Sequence, residues 1–206
     1  MSELTIQSIL MTFGYLGIGI IIFAESGFLL GLFLPGDSLL FTAGLLASQS
    51  FFSIWYLTPI VILAAILGDS FGYWSGHYFG PKIFTKEDSF FFRKRYVEQT
   101  RAFYDRHGKK TIILARFAPI VRTLAPILAG VGKMPYRQFL TYNVIGGVLW
   151  GGGITLLGYF LGAIFPATEK YLSFIIIAII IVSVLPIIFE VWRGRQEKKP
   201  VLKNQD

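Results

Sequence analysis

The sequence predicts an all-α integral membrane protein built as an inverted repeat, with two opposed re-entrant helical hairpins and about four transmembrane helices. Three observations carry this. Of 206 residues, 54% are hydrophobic and only 15% charged, too apolar for a chain that faces water on all sides. Apolar runs recur at bilayer length: Ile54 to Phe79, Phe139 to Phe165 and Leu172 to Val191 each supply the roughly 20 residues that a helix needs to cross the hydrocarbon core. Two further apolar stretches are broken or short, and such segments enter a membrane only where protein or a wet cavity surrounds them.

The first apolar stretch, Ile6 to Leu34, follows an N-terminus with Glu3 and no basic residue. That is the wrong charge for a secretory signal, so the stretch is expected to stay on the protein. Ser38 to Ala47 is too short to cross, and with Pro35 and Gly36 before it reads as a re-entrant hairpin. The span Ile54 to Phe79 carries glycines at every fourth position from Gly68, a close-packing stripe. Thr111 to Val131 contains Arg116, Pro119, Arg122 and Pro126, a poor lipid-facing helix and the second hairpin. The expected organisation is one membrane domain over 1–206. It comprises a first repeat at 8–80, a linker at 82–110, a second repeat at 111–165, a last transmembrane helix at 170–192 and a basic tail at 193–206.

The repeat is visible as small-residue spacing. At an offset of 82, Gly76 to Gly80 falls on Gly158 to Gly162. Pro35 falls on Pro119 at 84, and Gly44 on Gly130 at 86. Interrupted segments at matching positions of two halves are a sign of transporter architecture.

The net charge of +7 lies almost wholly after residue 80, since Lys82 is the first basic residue. The basic residues flank apolar segments, which fits membrane orientation and argues against nucleic acid. Placing the linker and the tail in the cytoplasm puts both termini there, and the two hairpins then enter from opposite faces. Aromatic residues interleaved with charge from Phe90 to Tyr104 predict an amphipathic helix on the inner surface. With no cysteine, thiolate metal sites and disulfides are excluded; no metal or cofactor is expected.

Ionisable residues inside apolar sequence are costly and mark function. Glu25 and Asp37 sit in a segment with no base, so their partners must come from elsewhere. The bases available inside apolar sequence are Arg116 and Arg122, which a turn at Pro119 brings toward one anion. Arg suits phosphate because its planar fork presents parallel donors, and a desolvated carboxyl holds a proton more readily. The combination reads as a proton-linked anion site: Arg116 and Arg122 bind substrate, and Glu25 and Asp37 exchange protons. Pro35, Gly36, Asp69, Pro119, Thr123 and Asn143 support them. The bland alternatives are ion pairs that pin the hairpins together, and Asp37 as an N-cap for the helix that starts at Ser38. Trp150 and Asn143 are weaker candidates, His77 reads as interfacial and His107 as a surface residue.

These residues resemble the DedA family, also described as SNARE-associated or VTT-domain membrane proteins. The resemblance rests on Glu25 with Pro35-Gly36-Asp37, the stripe from Gly68-Asp69 to Gly80, Arg116-Phe117-Ala118-Pro119-Ile120-Val121-Arg122-Thr123, and Ala129-Gly130 through Met134 to Phe139. It implies a lipid flippase or scramblase of the cytoplasmic (inner) membrane, with essential roles for the residues at 25, 37, 116 and 122. Family substrates include undecaprenyl phosphate and phosphatidylethanolamine. The leading expectation is therefore a proton-coupled transporter of undecaprenyl phosphate, with a phosphatidylethanolamine flippase or scramblase as the alternative. Its expected partners are a membrane lipid with a phosphate headgroup and protons, and a homo-oligomer is compatible. A membrane lipid phosphatase is disfavoured, because no Cys, His pair or Ser–His arrangement provides a nucleophile or metal site. A purely structural assembly protein is the remaining alternative.

Overall fold

The computed structural model describes residues 2–28, 36–83 and 108–164, all within the compact unit Met1–Pro166. The expected surface helix of the linker, the last transmembrane helix at 170–192, the tail and Pro35 lie outside the described residues.

Every regular element among the described residues is helical. They are α1 (Ser2–Gly27), α2 (Gly36–Ser48), α3 (Ile54–Ile83), a short 3-10 turn at Gly108–Lys110, α4 (Thr111–Ala115), α5 (Pro119–Val131), α6 (Tyr136–Gly147), a π-helical turn at Val148–Gly152, and α7 (Gly153–Ile164). Two helical stretches, Ile54–Phe79 and the run Tyr136–Ile164 formed by α6, the π turn and α7, are long and apolar enough to cross a bilayer.

The break between α4 and α5 has a local cause. Pro119 disfavours helical backbone at the residue before it, and Ala118 is extended, with φ −118° and ψ 109°. Pro119 then opens α5, where its missing N–H costs nothing. Pro126, inside α5, removes the amide that would otherwise bond the Arg122 carbonyl.

The helices α2 and α5 are each 13 residues long and end alike. The amide of Phe51 bonds the Leu46 carbonyl at 3.1 Å, and that of Met134 the Ala129 carbonyl at 3.0 Å. The residue before each, Ser50 (φ 65°) and Lys133 (φ 52°), is left-handed, as this type of C-terminal cap requires.

These two helices exchange partners: α2 packs along α7, and α5 along α3. Glycine permits the approach. A methyl group at Gly44 would strike the Thr155 carbonyl and the Tyr159 amide; at Gly130 it would strike the Tyr73 carbonyl and the His77 amide. A shift of 86 residues carries Gly44 to Gly130, and a shift of 82 carries Tyr73 to Thr155 and His77 to Tyr159. The same contacts are thus made twice, at the offsets read from the glycine spacing.

Polarity is distributed inside out. Phe13, Leu16 and Ile20 on α1 and Leu63, Leu67 and Phe71 on α3 are exposed, while Glu25, Asp69, Arg116, Asn143 and Thr155 are buried. An apolar outer face over a charged interior is stable when lipid is the solvent.

Candidate functional site: a charged cluster around one indole

The end of α1, the start of α2, the middle of α3, the α4–α5 break and the π turn meet at one place, and each supplies a polar side chain. Arg122, in the first turns of α5, links both acids of the first half. Its Nη2 donates to Glu25 Oε1, and its Nη1 donates to both oxygens of Asp37, at 2.9 and 3.1 Å. Glu25 is fully enclosed, whereas the Asp37 side chain is 50% exposed and that of Arg122 13%. The Glu25 carboxylate lies against Gly36, where any side chain would collide with it. That contact explains why glycine precedes Asp37.

Arg116 forms a second, sealed cluster. One nitrogen, Nη2, donates to Asp69 Oδ2 and to Asn143 Oδ1, both at 2.6 Å, and reaches the Ala65 carbonyl at 3.4 Å. Arg116 and Asp69 are 4% exposed and Asn143 not at all. Asn143 is held in turn, its Nδ2 donating to the Ile66 carbonyl at 3.0 Å. Gly146 makes the space, because a side chain there would strike the Arg116 stem.

Trp150 joins the two clusters. Its Nε1–H donates to Asp37 Oδ1 at 2.7 Å, and both guanidiniums lie over its ring, Arg122 at 5.2 Å and Arg116 at 5.7 Å from the centroid. The indole is buried and sits within the π turn, a feature that recurs at functional sites.

All four leading residues, Glu25, Asp37, Arg116 and Arg122, therefore meet in one contiguous cluster, with Asp69 and Asn143 as direct partners. Thr123 is buried in α5, and Pro119 starts that helix. Asp37 differs from the capping alternative: α2 begins at Gly36, so Asp37 lies inside its first turn and its carboxylate is engaged by Arg122 and Trp150. The two arginines do not share one anion, since Arg116 pairs with Asp69 and Arg122 with Glu25 and Asp37; they meet over the indole of Trp150. Sequence reasoning ranked that residue low, although its seven-residue spacing from Asn143 places both on one helix face.

The VTT domain profile matches residues 34–160, which span α2 to α7 and hold every member of the cluster except Glu25. The chain belongs to the DedA family of VTT-domain membrane proteins. It is 47% identical over 179 residues to Protein DedA of Escherichia coli K12, covering 86% of this chain and 81% of that protein. Two mycobacterial relatives, both named as uncharacterized membrane proteins, are similarly near. The one from Mycobacterium leprae is 46% identical over 186 residues (90% of this chain, 83% of the relative). The one from Mycobacterium tuberculosis H37Rv is 49% identical over 185 residues (87% and 81%). No solved structure matches the chain. This VTT-domain protein is thus a membrane protein whose buried charges are organised around Trp150.

Proposed function

We propose that this VTT-domain protein moves a phosphate-bearing lipid, undecaprenyl phosphate as the leading substrate, across the cytoplasmic membrane in a proton-coupled step. One observation carries the reading: Arg122 Nη1 is held by a carboxylate, Asp37, that is half exposed, so an incoming phosphate can take the place of Asp37 on that nitrogen through a charge-assisted hydrogen bond while Glu25 keeps Nη2. Three carboxylates face two guanidiniums in the cluster, which leaves a net charge of −1 when all are ionised. A phosphate arriving at Arg122 adds to this excess, and proton uptake by the displaced carboxylate offsets it. That links lipid to proton without a nucleotide.

The architecture fits the same reading. The doubled contacts of Gly44 and Gly130 support an inverted repeat, in which α1 crosses outward from the cytoplasm, and α2 and the α4–α5 segment belong to re-entrant hairpins entering from opposite faces. Both termini then lie in the cytoplasm. A cavity of about 580 Å³ beside the α2–α3 turn, lined by Tyr15, Phe51, Phe52, Trp55, Tyr56 and Tyr159 among others, has the aromatic character of a membrane interface. It carries no charged side chain and is not the phosphate site.

Asp37 also favours a second reading, a zwitterionic headgroup such as phosphatidylethanolamine, with phosphate on Arg122 and ammonium on Asp37. Proteoliposomes loaded with either lipid, with and without a pH gradient, separate the two. Translocation of the polyprenyl phosphate that a pH gradient accelerates, and that Arg122→Ala abolishes, is the expected result. Transport retained by Arg122→Ala refutes the phosphate assignment, and release of inorganic phosphate from the lipid would replace transport by hydrolysis.

A further inference from the structure

We infer that Trp150 is a second ligand of the phosphate: its indole N–H, which binds Asp37 in this structure, passes to a phosphate oxygen when the lipid displaces Asp37 from Arg122. The inference rests on the proposed phosphate site at Arg122 and deepens it.

The geometry leads there in three steps. Asp37 Oδ1 accepts from two donors, Arg122 Nη1 at 2.9 Å and Trp150 Nε1 at 2.7 Å, so whatever replaces that oxygen meets both at once. The indole nitrogen is a donor only and the residue is 2% exposed; once Asp37 leaves, an acceptor must return or a buried N–H is stranded. A phosphate oxygen is such an acceptor. Trp150 is also fixed in place independently of Asp37. Both guanidiniums lie over its ring, and the adjacent Gly151 and Gly152 press the π turn against Val61 and Ile62 of α3. The donor therefore waits in position whichever acceptor occupies the site.

The ring and the N–H do separable work. The ring face holds Arg122 and Arg116 by cation–π attraction, while the N–H selects an oxygen acceptor. Trp150→Phe keeps a ring and removes the donor; Trp150→Leu removes both.

The test uses the full chain with Trp55, Trp74 and Trp192 replaced by Phe, so that Trp150 alone emits, and geranylgeranyl phosphate in detergent as the probe. Saturable binding is expected to shift the Trp150 emission. In proteoliposomes made from the otherwise unaltered chain, Trp150→Phe is expected to raise the half-saturating lipid concentration about tenfold, the scale of one lost hydrogen bond to a charged group, with thermal stability near that of the parent. Trp150→Leu should lower the maximal rate as well, because the arginines lose their platform. Unchanged emission where radiolabelled geranylgeranyl phosphate binds, with unaltered half-saturation in Trp150→Phe, would overturn the assignment and leave the phosphate site at Arg122 standing. Failure of the labelled lipid to bind the parent protein at all would overturn both.

Discussion

Arg116 and Arg122 lie six residues apart on either side of one proline and share one indole, yet their surroundings are opposite. Arg116 spends its Nη2 on an acid and an amide that are both buried, and nothing in that group faces outward. Arg122 is bound to one enclosed acid and one half-exposed acid. A charge sealed with its partner cannot exchange it without unfolding its surroundings, because an unpaired ion in low dielectric is too costly. A charge whose partner reaches the surface can. The same residue type is thus anchored among buried partners at 116 and held in part by a half-exposed one at 122.

The largest effect is expected at the anchor. Arg116→Ala leaves Asp69 buried without its cation and should cost roughly 3–5 kcal/mol of stability, read as a lowered melting temperature in detergent. A variant as stable as the parent would remove the distinction between the two arginines. The next test moves the charge without changing its amount. Asp69→Asn alone should destabilise on a similar scale. The double variant Asp69→Asn with Asn143→Asp should recover part of the loss, since both oxygens sit 2.6 Å from the same nitrogen, while the Ile66 carbonyl loses the donor that Asn143 Nδ2 supplies. No recovery would mean that the position of the carboxylate matters beyond its pairing.

A smaller stability effect is expected on the exchangeable side. Asp37→Asn removes a half-exposed partner and should cost less than about 1 kcal/mol, while the response of translocation to a pH gradient disappears. Stability loss equal to that of Asp69→Asn would show that Asp37 is an anchor too. The smallest effect tests whether the asymmetry reaches the backbone. Ser50→Gly and Lys133→Gly relieve left-handed residues at the matching helix ends and should each stabilise by roughly 0.5–1 kcal/mol. Unequal gains would show that the two halves differ in more than their charges.

Much of the site was legible because the bilayer makes buried charge conspicuous. Glu25, Asp37, Arg116 and Arg122 stand out in apolar sequence, and all four occupy the cluster. The break at Ala118 followed from Pro119, and the offsets of 82 and 86 between glycines reappear as duplicated contacts. What stayed hidden were the neutral members. A tryptophan or an asparagine in a glycine-rich span looks like packing until its neighbours are known, so Trp150 and Asn143 ranked low. Asp69 carried a charge signal but no hint of which arginine it meets.

Composition and periodicity alone determined the helical class, the apolar exterior and the identity of the charged residues, because each follows from the local cost of exposing or burying a side chain in lipid. Only the tertiary structure decided the pairing: Arg116 with Asp69 across 47 residues and Arg122 with Asp37 across 85. Which partner a buried charge finds depends on how the helices exchange places, and that is set by glycine contacts between segments far apart in the chain.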